Sequence, residues 1–94
     1  MELIIQSPHL TLNSELNKFV TEKVNKLSSF HNKIESANVC LKVENSDETL
    51  NKVCEIKLTV PGNELFAKRQ CRSFEEATDQ VVDALQHQIN RIKK

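Results

Sequence analysis

One glycine, two prolines and neither tryptophan nor tyrosine occur in this chain of 94 residues, and each scarcity excludes something. A single glycine, Gly62, cannot build the backbone cradle of a P-loop or a dinucleotide-binding turn, both of which need several glycines at fixed spacing. With no Trp or Tyr and the Phe residues mostly at core positions, base stacking is poorly provided for; only Phe66 is not claimed by the core. The longest apolar run, Leu3 to Ile5, falls far short of the roughly 20 residues of a membrane-spanning helix. No basic stretch followed by an apolar segment marks a secretory leader. Cys40, Cys54 and Cys71 are odd in number, widely spaced and without a C-x-x-C pair, as expected of reduced thiols in a cytoplasmic protein. His9, His31 and His87 lie in separate segments without metal-ligand spacing. Asp79 and Asp83 share a helical face but have no partner for acid–base work, and read as solvated charges. The expectation is a protein that is not an enzyme and has no cofactor, no metal, no small-molecule substrate and no membrane partner.

What is present has clear periodicity. Leu3 and Ile5 alternate within a short strand, Glu2 to Gln6, which Ser7-Pro8 ends. Asn13 reads as a helix N-cap, with Glu15 in the first turn where the dipole favours an acid. Leu16, Phe19, Val20, Val24, Leu27 and Phe30 then recur every three or four residues, predicting an amphipathic helix of about 17 residues. Residues 36–45 and 52–60 alternate as half-buried strands, the second presenting Cys54, Ile56, Leu58 and Val60 to the core and Val53 to the other side. Pro61-Gly62-Asn63 is a turn, and residues 64–71 form the next strand with Leu65 and Ala67 inward. Ser73 caps a last helix with acids in its first turn and Arg91 to Lys94 in its last. The expected fold is α+β, in the order β-α-β-β-β-α. It has a four-stranded mixed sheet with two helices packed on one face, the first two strands parallel and the rest antiparallel.

The formal net charge is zero, yet the charges are segregated. Lys18, Lys23, Lys26 and Lys33 outnumber the acids of residues 13–33, and Lys68, Arg69 and Arg72 crowd residues 66–72, while residues 35–48 are acidic. Clustered Lys and Arg are the electrostatic footprint of a polyanion binder. Projected at about 100° per residue, Lys23 falls inside the apolar stripe of the first helix. Lys26 and Lys33 fall along the border of that stripe, and Lys18 points away. A lysine so placed is expected to lay its stem over the aromatic edge and send its ammonium to solvent. In the last helix His87, Arg91 and Lys94 group on one side. A surface of this kind would bind RNA through backbone charge and shape.

Several strings, in this order and spacing, resemble the short ribosome hibernation-promoting factor family, which overlaps the ribosome-associated inhibitor and sigma-54 modulation proteins. They are Phe19-Val20-Thr21 with Lys23, Lys26 and Leu27 downstream; Leu41-Lys42-Val43-Glu44; and Asp83-Ala84-Leu85 with Gln88. The resemblance covers essentially the whole chain and implies a single ribosome-binding domain over residues 1–94. It implies a translation inhibitor of stationary phase or stress that binds 16S rRNA of the small ribosomal subunit in the mRNA and tRNA channel. It also implies promotion of ribosome pairing, the protein itself being monomeric off the ribosome. Lys23, Lys26 and Arg91 stand where the family uses basic residues, with Lys33 and Lys94 as extensions. The chain ends soon after the final helix, which favours the dimer-promoting role over the opposing one. Ala84 and His87 depart from the family's usual Lys or Arg, which implies a thinner grip and, through His87, tighter binding on acidification.

Two other readings of the same residues stay open here. One is a module of the double-stranded-RNA-binding type, which shares the α-β-β-β-α order but expects bases, not Glu75 and Glu76, at the start of the last helix. The other is a small protein–protein adaptor using the sheet face around Ile4 and Phe66.

Overall fold

The computed structural model describes residues 1–8, 10–45 and 48–92. Strand β1 (Glu2–Gln6) is followed by helix α1 (Ser14–Asn25) and a 3-10 turn (Lys26–Ser29). Strands β2 (Ser36–Val43), β3 (Lys52–Val60) and β4 (Asn63–Cys71) lead into helix α2 (Phe74–Ile92). The sheet order is β1-β2-β3-β4; β1 and β2 run parallel, and the other pairs run antiparallel. The order and the sheet are those the periodicity predicts.

The caps are where the side-chain chemistry puts them. Leu16 N–H donates to Asn13 Oδ1 at 2.7 Å, and Glu76 N–H donates to Ser73 Oγ at 3.1 Å, each satisfying one of the orphan donors of a helix start. The Glu76 carboxylate in turn accepts from Arg72 N–H at 3.5 Å, close to a capping box. The hairpin between β3 and β4 closes on two residues, and Gly62 there takes φ +76, a region where a Cβ would be strained.

Helix α1 is shorter than the apolar spacing predicts. It has 12 residues, then tightens into the four-residue 3-10 turn. Two serines account for the change: Ser28 Oγ donates to Asn25 O at 2.7 Å and Ser29 Oγ to Lys26 O at 2.6 Å. Such back-bonding competes with the helical ladder. Strand β2 likewise stops at Val43, two residues short of Asn45, where the alternation predicts its end. The chain turns there, with Glu44 N–H donating to Asn51 O at 2.8 Å.

Both helices cover one face of the sheet. Val20, Val24 and Leu27 from the first helical stretch and Val81, Leu85 and Ile89 from α2 are fully buried against Val39, Leu41, Ile56 and Leu58. Each such side chain contributes about 1.5–3 kcal/mol of burial. Thr78 is the buried polar residue of this layer, and its hydroxyl donates to Cys54 Sγ at 3.7 Å. The opposite face carries Ile4, Gln6, Asn38, Cys40, Lys42, Glu55, Lys57, Phe66 and Lys68 by register. Val53 shares that face but is only 1% exposed, contrary to its expected solvent position. Its cross-strand neighbour Gln70 donates to the Leu50 carbonyl, so the β2–β3 connection folds back over that end.

Candidate nucleic-acid interface

Of the residues singled out as RNA-binding, Lys23 lies on α1, Lys26 on the 3-10 turn and His87 and Arg91 on α2, and they do not form one row. Lys23, on α1, reaches across to α2: its Nζ lies 3.0 Å from Asp79 Oδ1 and 5.4 Å from the centroid of the Phe19 ring. The stem therefore lies along the aromatic edge as expected, while the ammonium has a carboxylate partner rather than solvent alone. Asp79, which the sequence presents as a solvated charge, is thus an interhelical ion-pair partner.

Lys26 opens the 3-10 turn and is exposed. Lys33 lies beyond the helical stretch, in the turn before β2, where its backbone N–H donates to His31 Nδ1 at 3.0 Å. Helical projection therefore does not place Lys33; the helix ends before reaching it. His87 and Arg91 are exposed on α2, His87 with its Nδ1 3.8 Å from Asp83 Oδ2 one turn back. Lys94 lies outside the described residues.

Helix α2 separates these cations into two groups. The Lys23–Asp79 pair puts α1 on one flank of α2. On the other flank a groove runs between α2 and β4, lined by Arg69, Gln80, Asp83, Ala84, His87 and Arg91. His87 and Arg91 therefore face Arg69 rather than the lysines of α1. Among the described residues, no carboxylate comes within 4.0 Å of a Lys26, Lys33, Arg69 or Arg91 side-chain nitrogen. These four cations are available to an outside anion at little cost.

Arg69 is the residue missed among the candidates. Inward positions on β4 run Leu65, Ala67, Arg69, Cys71, and the register sets Arg69 opposite buried Cys54. A guanidinium in an inward position of an edge strand is the signal, since the alternation asks for an apolar side chain there. Because β4 is the sheet edge, the side chain escapes along the flank of α2 into the groove, and its Nη1 donates to Lys68 O at 2.8 Å.

All three cysteines are free thiols. Burial pushes the Cys54 thiol up to about 11, opposed in part by the Thr78 hydroxyl, and burial, followed by the nearby Glu76, raises Cys71. Among the described residues no three His, Cys, Asp or Glu side chains converge to hold a metal. Among them, too, no helix is long and apolar enough to cross a membrane.

Known proteins resemble the chain along its length. A ribosome hibernation promoting factor of Pseudomonas putida is 29% identical over 94 residues, covering 100% of this chain and 88% of the relative. One from Escherichia coli is 30% identical over 93 residues, covering 99% and 94%. A ribosomal subunit interface protein from Coxiella burnetii superposes with a TM-score of 0.88 at 14% identity, over 99% of this chain and 98% of that one. The N-terminal domain of Protein Y from Thermus thermophilus gives 0.84 at 20% identity, over 98% and 99%. At those identities the two structures speak for the fold alone. The family described as Sigma 54 modulation protein / S30EA ribosomal protein matches residues 3–94, and the chain belongs to that family.

Proposed function

We propose that this protein is a ribosome-associated translation inhibitor that works in the cytoplasm. As a single ribosome-binding domain, it lays its helix side on 16S rRNA of the small subunit, in the channel used by mRNA and tRNA. Occupying that channel in stationary phase or stress silences the ribosome and favours pairing of ribosomes into inactive dimers.

One observation carries this reading beyond kinship. Four exposed cations, Lys26, Lys33, Arg69 and Arg91, have no described carboxylate within 4.0 Å, in a chain of zero formal net charge. Balanced charge argues against indiscriminate attraction to nucleic acid, while local unpaired cations still release counterions when they meet phosphates. Two of the acids are held by cations: Glu55 between Lys42 and Lys68 on the far side of the sheet, and Asp79 on Lys23.

Sedimentation of a stationary-phase lysate through a sucrose gradient tests it. The protein should travel with small subunits and paired ribosomes at low salt, and K26E/R91E, which reverses two exposed cations outside any described ion pair, should stay at the top while keeping a urea midpoint near the wild-type value. Recovery of the wild type only in ribosome-free fractions overturns the proposal.

A further inference from the structure

The helix side leaves one prominent side chain unexplained. Phe19, Phe30 and Phe74 pack against the core, whereas Phe66 stands on the opposite face of the sheet and is 53% exposed, more than any other large hydrophobic residue of the described chain. Its strand is firmly held: the Phe66 carbonyl accepts from Gln88 Nε2 of α2 at 2.9 Å. The backbone that carries the ring is therefore fixed to α2.

The surroundings of that ring are polar. The register runs Ile4, Asn38, Lys57, Phe66 in one row across the sheet and Gln6, Cys40, Glu55, Lys68 in the next. Between the rows lies a shallow cavity of about 150 Å³, lined by Gln6, Asn38, Cys40, Glu55, Lys57 and Phe66. That is below the roughly 300–1,000 Å³ of a site for drug-sized ligands. It is room for one flat ring, beside an aromatic face and two side-chain amides that can each donate and accept.

The charges around it are suited to a polyanion. Glu55 is neutralised by Lys42 at 2.9 Å and Lys68 at 3.8 Å. Lys57, directly across from Phe66, has no described carboxylate within 4.0 Å. Of the remaining acids of the paired strands on this face, Glu2 lies at the far edge, and Glu64 is the neighbour of Phe66 along β4, on the side away from Lys68.

We infer that the open sheet face is a second nucleic-acid site, which takes an unstacked base of single-stranded RNA on the Phe66 ring. Asn38, across the cavity in the same row, meets the edge of the base, and Lys57, next to Phe66, meets the adjoining phosphate. A sheet bearing an exposed aromatic flanked by lysines binds single strands in this way, because every base has a π-face to stack and the backbone supplies charge for the lysines. A protein partner fits less well. Ile4, the other exposed apolar residue of the row, is three strand spacings from Phe66, about 14 Å, with Asn38 and Lys57 between. No apolar centre of the kind a stable protein interface needs is formed there.

The chain has no tryptophan, so F66W introduces a single reporter at the site itself. Oligouridylate and oligoadenylate should quench its emission, and an RNA duplex of the same length should not. With wild-type side chains elsewhere, F66L should weaken single-strand binding by about tenfold in fluorescence anisotropy, as should N38A to a smaller degree. Equal quenching by duplex and single strand, unchanged affinity in F66L, or quenching by ribosomal proteins but not by RNA would each overturn the inference. Placing F66W in the K26E/R91E background separates this site from the helix side. Retained quenching with lost ribosome sedimentation supports two sites, and loss of both together overturns the second.

Discussion

Lys23 and Asp79 tie the two helices together: the ammonium of one lies 3.0 Å from the carboxylate of the other, with side chains 31% and 52% exposed. A lysine proposed to contact RNA is thus already paired in the free protein. A phosphate arriving at Lys23 must either displace Asp79 or sit beside its charge, and both lower affinity.

Asp79→Asn should therefore tighten RNA binding. An exposed ion pair of this kind is worth at most about 1 kcal/mol, so the gain is up to about fivefold at low salt. In the wild type the carboxylate, not a mobile counterion, balances Lys23. The variant should accordingly show a salt dependence of log K steeper by up to about 0.9. A salt titration of ribosome binding checks both. The gain should vanish when Lys23→Ala is added; a gain equal in both backgrounds would show only a general change of field.

Arg69→Ala should weaken RNA binding across sequences and reduce the salt slope by about 1, because a phosphate contact carries charge and no base information. Arg69 has no ion pair among the described residues and faces the groove with His87 and Arg91, so the urea midpoint should stay near the wild-type value. Loss of stability without loss of affinity would make Arg69 a packing residue.

These two residues show where a sequence stops being legible. Alternation along residues 52–60, the capping side chains of Asn13 and Ser73 and the Pro61-Gly62 turn are local signals, and they specify the elements because each acts within a few residues. The end of α1 is harder to see: apolar spacing continues through Leu27 and Phe30, while the hydroxyls of Ser28 and Ser29 draw the backbone into a tighter turn. Helical projection puts Lys23 at the apolar stripe, where it lies, but its partner comes from another helix. Periodicity within one helix carries no information on how two helices sit. Arg69 is visible in the sequence as a basic residue; its place in the groove depends on β4 being the sheet edge, a property of topology.

Ser73→Ala tests the start of α2. It removes the acceptor for Glu76 N–H, and loss of such a cap costs about 1 kcal/mol. Urea unfolding should show the midpoint fall with the slope unchanged. Ribosome binding should persist, since none of the candidate cations lies in that first turn.

Cys54 predicts an alkaline limit to stability. Its thiol sits in the core with a pKa raised to about 11, against about 8.5 for an exposed cysteine, because burial disfavours the thiolate. Between those values the unfolded chain has lost the proton that the folded chain keeps, so stability declines as pH rises from about 8.5 toward 11. The full effect is about 3 kcal/mol, and below about pH 8 it is absent. Cys54→Ser keeps an acceptor for the Thr78 hydroxyl and removes the titrating thiol. Urea unfolding of both proteins between about pH 7 and 10.5 should show the wild type losing stability faster above about pH 8.5, the difference between the two curves isolating Cys54 from Cys40, Cys71 and the lysines. Parallel curves would place the alkaline titration elsewhere in the fold.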